Sequence, residues 1–220
     1  MPKRVTYLEK REGMPREDFC AYWSTTHADI ARDLPGVAGY RQNHIKPLPV
    51  IPPGADAFAV DGIVELWFTD ESVVHAGFES DVARRLADDE PNFLSGLTGG
   101  PVSAPDAHEP CAGKLWVLGL WRQNDSGASR QAVSTWAEDV VSGLPGAINA
   151  TANFLDPGAP LLTRQALRSE PHIPEVALSF GLHAGISAPA AGSHLLENLG
   201  SIQDLLRRVH VYYAEEVVIL

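Results

Sequence analysis

The 220-residue sequence is poor in several residue types that commonly mark a function. It contains only two cysteines, Cys20 and Cys111, which cannot build a disulfide framework or a cysteine-rich metal site. Its eight histidines are scattered without an HxH or HExxH pair, so we predict no metal site. No run of 18 apolar residues occurs, so we expect no membrane-spanning helix.

Basic charge is also scarce, with 17 Lys and Arg against 28 Asp and Glu and a formal net charge of -11. Binding to nucleic acid needs clustered basic residues, so we expect no nucleic-acid partner. The opening MPKRVTYLEKREG lacks the apolar run of a signal peptide, and we expect a cytoplasmic protein. No glycine-rich phosphate loop follows a strand and no GxSxG elbow is present, so we expect no nucleotide cofactor.

The residues that are present predict an ordinary globular chain with an internal duplication. Hydrophobic residues make up 45% of the sequence and charged residues 20%. The tripeptide Leu34-Pro35-Gly36 recurs 110 residues later at 144–146. At the same offset and without a gap, Trp23 aligns with Val133 and Asn43 with Asn153. The apolar stripe of a helix and the strand after it therefore align between the two halves at the same offset, which indicates that the halves are related.

Each half has the pattern strand, helix, strand, strand, helix, strand. In the first half, β-branched and aromatic residues predict strands near 4–10 and 62–70, and helical spacing of apolar residues predicts helices over 13–34 and about 71–89. In the second half we predict helices over 129–143 and near 192–208. The Pro- and Gly-rich stretch 95–110 is predicted to be an irregular connector, which gives domains 1–100 and 111–220 and a linker 101–110.

This order is the split βαβ arrangement, in which helices cover one face of an antiparallel sheet and leave the other face bare. Two halves in one chain can cover each other by packing sheet to sheet. We therefore predict an α+β fold of two ferredoxin-like (βαββαβ) halves that enclose a central space.

A combination of motifs in the first half resembles the EthD family of dimeric α/β-barrel proteins. The pattern is an aromatic pair, a His, Leu-Pro-Gly, a Tyr, Asn-His and Glu-Leu-Trp-Phe, and it covers most of residues 4–95. In this sequence its members are Tyr22, Trp23, His27, Leu34, Pro35, Gly36, Tyr40, Asn43, His44, Glu65, Leu66, Trp67 and Phe68.

The resemblance implies a barrel that two chains usually build together, so this chain is expected to be a tandem fusion with a dimeric α/β barrel inside one polypeptide. It should be a monomer with an internal pseudo-dimer, or a homodimer of the fused chain. The second half departs from the pattern, since Ala137 aligns with His27 and Phe154 with His44. We therefore expect one working pocket, in the first half, and a second half kept as scaffold.

His27 is the leading candidate for acid-base catalysis. At about 100° per residue from Phe19, it borders the sheet-facing stripe of its helix. Its spacing alone favours a hydrogen-bonded structural His at the boundary of helix and sheet, but the resemblance implies a proton-transfer role on an aromatic or lactone substrate.

Glu65 is the second catalytic candidate, because the alternation of its strand points it into the barrel. Burial there would raise its pKa toward general-acid values. The alternative is a buried salt bridge to Arg41 or another Arg.

Six further residues are candidates for substrate binding. Asn43 and His44 lie on opposite faces of a regular strand, so one of them is structural. Tyr40 shares the face of His44 and could orient a phenol or carbonyl group of a substrate. Tyr7, Tyr22 and Trp67 could supply the apolar walls of a pocket, although aromatic residues at this spacing also form ordinary cores. The full predicted set is Tyr7, Tyr22, Tyr40, Asn43, His44 and Trp67.

Together with these candidate residues, the resemblance implies an enzyme without a cofactor. It would act as a dehydratase, cyclase or isomerase on a small hydrophobic molecule, aromatic or polyketide-like, by His-mediated proton transfer. Two alternatives remain open at this point: a non-catalytic small-molecule binding protein, and a haem- or quinone-type oxygenase on the same scaffold.

Overall fold

The computed structural model describes residues 1–51, 54–105, 109–123 and 125–220. Within these residues eight strands alternate with helices in two similar halves. The strands are β1 (Lys3–Lys10), β2 (Val37–Lys46), β3 (Gly62–Phe68), β4 (Leu94–Ser103), β5 (Gly113–Trp121), β6 (Ala147–Leu155), β7 (Val176–Leu182) and β8 (Leu206–Val218).

Helices cover the outside of each half. The first half has α1 (Arg16–Tyr22), a π-helical turn (Trp23–His27), α2 (Ala28–Ala31), α3 (Glu71–Phe78), α4 (Asp81–Asp89) and a 3-10 turn (Glu90–Asn92). The second half has α5 (Gly127–Gly143), α6 (Ala188–Asn198) and a 3-10 turn (Leu199–Ile202). No helix in the described ranges has the length and hydropathy that crossing a bilayer requires.

The eight strands close into one antiparallel barrel in the order β1-β3-β2-β8-β5-β7-β6-β4. This confirms the predicted α+β fold with two ferredoxin-like halves. The halves meet at two unequal seams. Strands β2 and β8 pair over six residue pairs, from Arg41 with Val218 to Lys46 with Tyr213. Strands β4 and β6 pair only at Val102 with Leu155 and Ser103 with Phe154.

Because β4 and β6 pair over only two residue pairs, most of the β4 edge can form hydrogen bonds with another segment of the second half. We call residues 160–168 the strap. Backbone hydrogen bonds join Gly99 to Leu162 in both directions, and link Leu97 and Ser95 to Arg168. The strap therefore takes the place of a paired strand along β4, and this position brings it beside the helices of the first half.

Three sequence predictions need correction. Strand β4 occupies residues predicted to be an irregular connector, and it includes the first three residues of the predicted 101–110 linker; residues 106–108 lie outside the described ranges. The predicted helix 71–89 is two helices, because the side chain of Ser80 accepts a hydrogen bond from Ala83 N–H and starts α4. The last predicted helix ends at Asn198, and Leu206 already belongs to β8.

The glycines that hid β4 are required by close contacts with β1. A Cβ atom added at Gly96 would lie 2.7 Å from Glu9 Oε1, and one at Gly99 would lie 2.7 Å from the Val5 carbonyl oxygen. Glycine normally argues against a strand, but here it lets two strands and their side chains approach closely.

The barrel interior is packed, so the predicted central space is wrong. One end is filled by apolar side chains that include Val5, Tyr7, Trp116 and Tyr212. The other end holds charged side chains, described below. The two pockets that reach these ends have volumes of only about 10 Å³ each. This is room for a single water molecule, so a ligand must bind elsewhere.

The repeated Leu-Pro-Gly ends its helix with a glycine in the left-handed region in both halves, with φ of 82° at Gly36 and 71° at Gly146. We expect Gly36→Ala to lower the free energy of unfolding by about 2–4 kcal/mol, because the new Cβ would be strained and would lie 2.5 Å from Val73 Cγ2. Gly13→Ala is the matched control: Gly13 has φ of 75° but no atom within 4 Å of the added Cβ, so it should cost about 1 kcal/mol. Equal losses in urea unfolding would contradict the contact with Val73.

Candidate active site

A small cavity lies in the first half between the outer face of the sheet and the helices. Its volume is about 60 Å³. Its walls are mainly aliphatic, with one imidazole, one phenol, one carboxylate and one guanidinium among them. The lining includes Leu8, His27, Leu34, Tyr40, Val64, Leu66, Phe78, Glu90, Leu94, Leu162 and Arg164.

The π-helical turn Trp23–His27 directs His27 towards this cavity. A π turn holds more residues than an α turn, and such turns often occur at functional sites. Both Trp23 and His27 are buried as a result, with His27 only 9% exposed. The Trp23 carbonyl accepts a hydrogen bond from Gln42 Nε2 at 2.8 Å, which satisfies a backbone group in the irregular turn. The widened turn explains how a His predicted at the border of the stripe becomes part of the buried wall.

Asp89, at the end of α4, fixes the orientation of the His27 ring. Asp89 Oδ2 lies 2.9 Å from His27 Nδ1, and Asp89 Oδ1 accepts a 2.6 Å hydrogen bond from the Tyr22 hydroxyl. The ring of Phe93 packs on the imidazole at 4.8 Å between centroids. A carboxylate at Nδ1 favours the tautomer with hydrogen on Nδ1, so Nε2 is the nitrogen able to accept a proton.

Burial lowers the pKa of His27 below its ordinary value, and the interaction with Asp89 offsets only part of this effect. Burial also opposes ionisation of Asp89, but hydrogen bonds from Tyr22, His27 and Asn92 outweigh it and lower the Asp89 pKa. At neutral pH the pair is therefore a neutral imidazole held by a carboxylate, which is the arrangement of a general base with its orienting group.

Tyr40 places a phenol on the wall of the same cavity. Its hydroxyl oxygen accepts hydrogen bonds from Trp23 Nε1 at 3.1 Å and Gln42 Nε2 at 2.8 Å. Both bonds use the oxygen lone pairs, so the hydroxyl hydrogen remains available to an acceptor in the cavity. Burial raises the pKa of Tyr40 to about 12, so the group stays protonated and acts as a donor.

The strap supplies Arg164, which reaches the cavity from the second half. Its guanidinium donates two hydrogen bonds to the buried Glu90, at 2.6 Å and 3.0 Å. Burial raises the pKa of Glu90, and Arg164 opposes that rise. The second half is thus more than a scaffold, because it closes the cavity of the first half with a charged side chain.

Glu65 lies on the other side of the sheet, inside the barrel. Lys3 Nζ lies 2.8 Å from Glu65 Oε1, and Lys114 Nζ lies 2.5 Å from Oε2. Asn43 Nδ2 donates to the same Oε2 at 3.0 Å, and Lys3 also donates to Asn153 Oδ1 at 2.7 Å. Lys114 continues the cluster to Glu216. We call Lys3, Asn43, Glu65, Lys114, Asn153 and Glu216 the barrel ion cluster.

The expected rise in the pKa of Glu65 is wrong. Burial by itself would raise this pKa, but Lys3 and Lys114 outweigh burial and hold the pKa below its ordinary value. The alternative interpretation, a buried salt bridge, describes the contacts of Glu65, with lysines in place of the expected arginine. A carboxylate that remains ionised and fully engaged does not act as a general acid.

The sheet divides the eight predicted site residues into two groups. His27 and Tyr40 line the cavity; Tyr22 holds Asp89 from the rim, and His44 stacks on Trp23 at 4.5 Å between centroids. The other four lie inside the barrel: Tyr7 in the apolar end, Trp67 beneath Lys3, and Asn43 and Glu65 in the barrel ion cluster. His27 and Glu65 therefore cannot contact one small molecule together.

Sequence reasoning missed Asp89, Glu90 and Arg164. The two acidic residues stand in the run ADDEPNF at the end of a helix, where carboxylates usually face water. Arg164 comes from a loop more than 130 residues away from His27, and nothing in its local sequence marks it. Among the described residues, no group of three or more His, Cys, Asp or Glu side chains is placed to bind a metal ion.

His44 gives a pH-dependent test of the stacked arrangement. Burial and the nearby charge of Lys46 lower its pKa to about 4. Because the folded pKa lies below the unfolded value of about 6.5, the unfolded chain binds more protons between these values, and stability falls as the pH drops from about 6.5 to about 4. The total loss from His44 should be about 3 kcal/mol.

We expect His44→Phe to remove that part of the pH dependence, because the aligned position in the second half already holds Phe154. At pH 7 the variant should lose about 1 kcal/mol with the hydrogen bond between His44 Nε2 and Gln42 Oε1. Urea unfolding at half-unit pH steps measures both effects. An unchanged slope between pH 6.5 and pH 4 would show that His44 is not the titrating group.

Comparison with known protein families gives a match in the first half of the chain. Residues 11–96 match the family model of the EthD domain. Over these residues the chain is similar to the EthD domain. The motif combination that resembled this family is thereby confirmed. A search of curated protein sequences finds no match to this chain.

Solved structures that are similar to this chain extend over both of its halves. An anthrone oxidase-like protein has a TM-score of 0.64 at 5% identity, with 99% of this chain and 93% of that chain covered. A candidate monooxygenase from Lactobacillus acidophilus has a TM-score of 0.56 at 9% identity, with coverage of 100% and 94%. A candidate chlorite dismutase has a TM-score of 0.56 at 10% identity, with coverage of 99% and 95%. At these identities the likeness shows the shared fold.

Proposed function

We propose that the EthD-like first half is a cofactor-independent enzyme that dehydrates, cyclises or isomerises a small hydrophobic molecule, aromatic or polyketide-like, by proton transfer at His27. The observation that carries this proposal is the buried, neutral His27 held at Nδ1 by Asp89 and directed into an apolar cavity. A structural histidine needs a hydrogen-bond partner, but it does not need a place in the wall of a cavity.

The groups on the cavity wall suit the abstraction of a proton next to a carbonyl. His27 Nε2 would take the proton from carbon, and the imidazolium formed would be stabilised by the Asp89 carboxylate. The negative charge left on the carbonyl oxygen would accept a hydrogen bond from the Tyr40 hydroxyl. The same imidazolium can then return the proton to a different atom, or to a leaving hydroxyl group, which gives isomerisation or dehydration.

The cavity must widen to admit a substrate. Its volume of about 60 Å³ is far below the range of about 300–1,000 Å³ of small-molecule sites. Two of its walls are Phe78, the last residue of α3, and the strap, which is joined to β4 by four backbone hydrogen bonds. We propose that a substrate separates these walls and that Arg164 then exchanges Glu90 for the substrate or for water.

The test is product analysis by mass spectrometry with wild-type protein and three variants. His27→Asn removes the base, Asp89→Asn removes the orienting carboxylate, and His183→Asn is a control at an exposed histidine outside the cavity. The probes are polyhydroxylated aromatic ketones and unsaturated lactones. We expect products with water lost or mass unchanged, a rate about 10²–10⁴ lower in His27→Asn, and an unchanged rate in His183→Asn.

Other results would reject the proposal. An unchanged rate in His27→Asn would remove its central claim. Products that gain oxygen, with oxygen consumed, would favour an oxygenase. Ligands that raise the melting temperature of wild type and His27→Asn without any turnover would favour a binding protein.

We also propose that the chain acts as a monomer with an internal pseudo-dimer. Barrel closure pairs the strands of the two halves inside one chain, so no second chain is needed to complete the sheet. Sedimentation equilibrium should give one 23.7 kDa species; a dimer at micromolar concentration would support the homodimer instead.

A further inference from the structure

A second and larger depression lies outside the cavity and carries its own chemistry. We call it the outer cleft. It has a volume of about 720 Å³ and lies between α3, the first residues of β1 and the segment 156–162. Its walls include Arg4, Phe78, Pro101, Arg130 and Leu161. This volume falls within the range of small-molecule sites.

Arg4 is the group in the outer cleft that is set up to bind a ligand. It points to the outer face of β1 because its neighbours in sequence, Lys3 and Val5, point into the barrel. Its guanidinium lies over the ring of Phe78, 5.0 Å from the centroid. Arg4 Nε is buried and has no hydrogen-bond partner among the described residues. A buried N–H group without an acceptor is costly, and an anionic ligand would satisfy it.

The other cations of the outer cleft are already engaged. Lys3 directs its ammonium group to Glu65 and Asn153 inside the barrel. Arg130 donates two hydrogen bonds to Asp125, at 2.7 Å and 2.5 Å. Among the described residues of the outer cleft, Arg4 is thus the cation with an unfilled hydrogen-bonding position.

Two carboxylates limit where an anion can sit. Asp156 accepts a hydrogen bond from Gly158 N–H at 2.9 Å and interacts electrostatically with Arg130. Glu71, the first residue of α3, is the acidic group whose charge acts on Arg4. A bound anion would therefore be attracted by Arg4 and repelled by the Glu71 carboxylate. Neutralising Glu71 should then strengthen anion binding, whereas neutralising Arg4 should weaken it.

We propose that the outer cleft binds an aromatic carboxylic acid, whose carboxylate accepts hydrogen bonds from Arg4 and whose ring packs against Phe78 and the neighbouring prolines. Planar guanidinium groups recognise carboxylates through paired hydrogen bonds, and they stack on aromatic rings as Arg4 does on Phe78. The cleft and the His27 cavity share Phe78 and Leu162 as walls. If the proposed function holds, an acidic tail in the outer cleft would place the reacting end of the substrate at His27.

Calorimetric titration with 2-naphthoate and its neutral amide, 2-naphthamide, tests the proposal. We expect wild type to bind the acid about tenfold or more tightly than the amide. Arg4→Met should abolish that preference, and Arg4→Lys should keep only part of it, because lysine cannot form the paired contact. Glu71→Gln should tighten binding of the acid several-fold. Arg85→Met, which removes an exposed arginine outside the cleft, should leave it unchanged.

The outcomes separate this site from the proposed function. Binding of the acid that depends on Arg4 and persists in His27→Asn supports the outer cleft whatever becomes of catalysis. Equal affinity for acid and amide in wild type, or equal affinity of Arg4→Met and wild type for the acid, overturns it. Should Arg4→Met fail to fold, the wild-type preference and the Glu71→Gln effect still decide the matter.

Discussion

Replacing Glu65 by Gln is expected to lower the free energy of unfolding by about 3–5 kcal/mol. The side chain is 2% exposed and lies between Lys3 and Lys114, both of which are also buried. Gln keeps the shape but removes the charge that compensates two ammonium groups. The loss should appear as a fall in melting temperature on the order of 10 °C, since about 1 kcal/mol corresponds to about 2–4 °C in a chain of this size.

A double-variant cycle separates the ion pair from simple loss of packing. Glu65→Gln leaves one excess positive charge in the barrel ion cluster, because Glu216 still faces Lys114, and Lys3→Met removes that excess. The double variant should therefore be more stable than the sum of the single effects predicts, by at least about 1 kcal/mol. If Glu65→Gln costs less than about 1 kcal/mol, the lysines must lose their protons in the folded variant, and the barrel ion cluster would then not be an ionic structure of the kind described.

The effect of Glu65→Gln on turnover distinguishes structure from chemistry. Because the sheet separates Glu65 from the His27 cavity, the folded variant should keep its rate at a temperature well below unfolding. A large loss of rate in the folded variant would contradict the separation of the two faces.

Replacing Trp23 by Ala is the second change with a large expected effect, about 3–5 kcal/mol. Trp23 is fully buried and packs against Phe19 at 5.5 Å and His44 at 4.5 Å between ring centroids. It also donates the hydrogen bond that orients the Tyr40 hydroxyl. The variant should therefore lose stability and, in the folded fraction, weaken any catalysis that depends on Tyr40.

Gly62 provides the partner for a test of this packing. A Cβ atom at Gly62 would lie 2.6 Å from Trp23 Cζ3, so Gly62→Ala alone should cost about 1–3 kcal/mol by overpacking. In the double variant the new methyl group enters space that the indole has left. The loss of unfolding free energy in the double variant should therefore be smaller than the sum of the two single losses, by about 1 kcal/mol or more. Strict additivity in urea unfolding would show that the indole does not rest on Gly62.

The fold could be predicted because its signals are local or periodic. The repeated Leu-Pro-Gly and the alternation in β3 identified two ferredoxin-like halves, and the bare sheet faces required them to pair. Strand β4 could not be predicted, because its glycines are required by close contacts with Glu9 and Val5, which lie on another strand. The break at Ser80 was also missed, since an apolar stripe can continue across two helices.

The candidate site could be predicted only in part. His27 was named because the family resemblance implied a role for it, and Tyr40 because the strand period places it on the same face as His44. Asp89 and Arg164 were missed because an acidic residue at a helix end and an arginine in a loop are common on protein surfaces. Only the folded chain shows that one contacts His27 and the other lies beside Glu90.

The sequence by itself determined the two-half architecture, the faces of strand residues such as Asn43 and His44, and a first half unlike the second at His27 and His44. These properties follow from periodicity and from the alignment of the halves. The tertiary structure decided which face holds the cavity, because an apolar core and the barrel ion cluster fill the other. It also decided the charge of Glu65 and the contribution of the strap, because both depend on groups that are distant in sequence and meet only when the barrel closes.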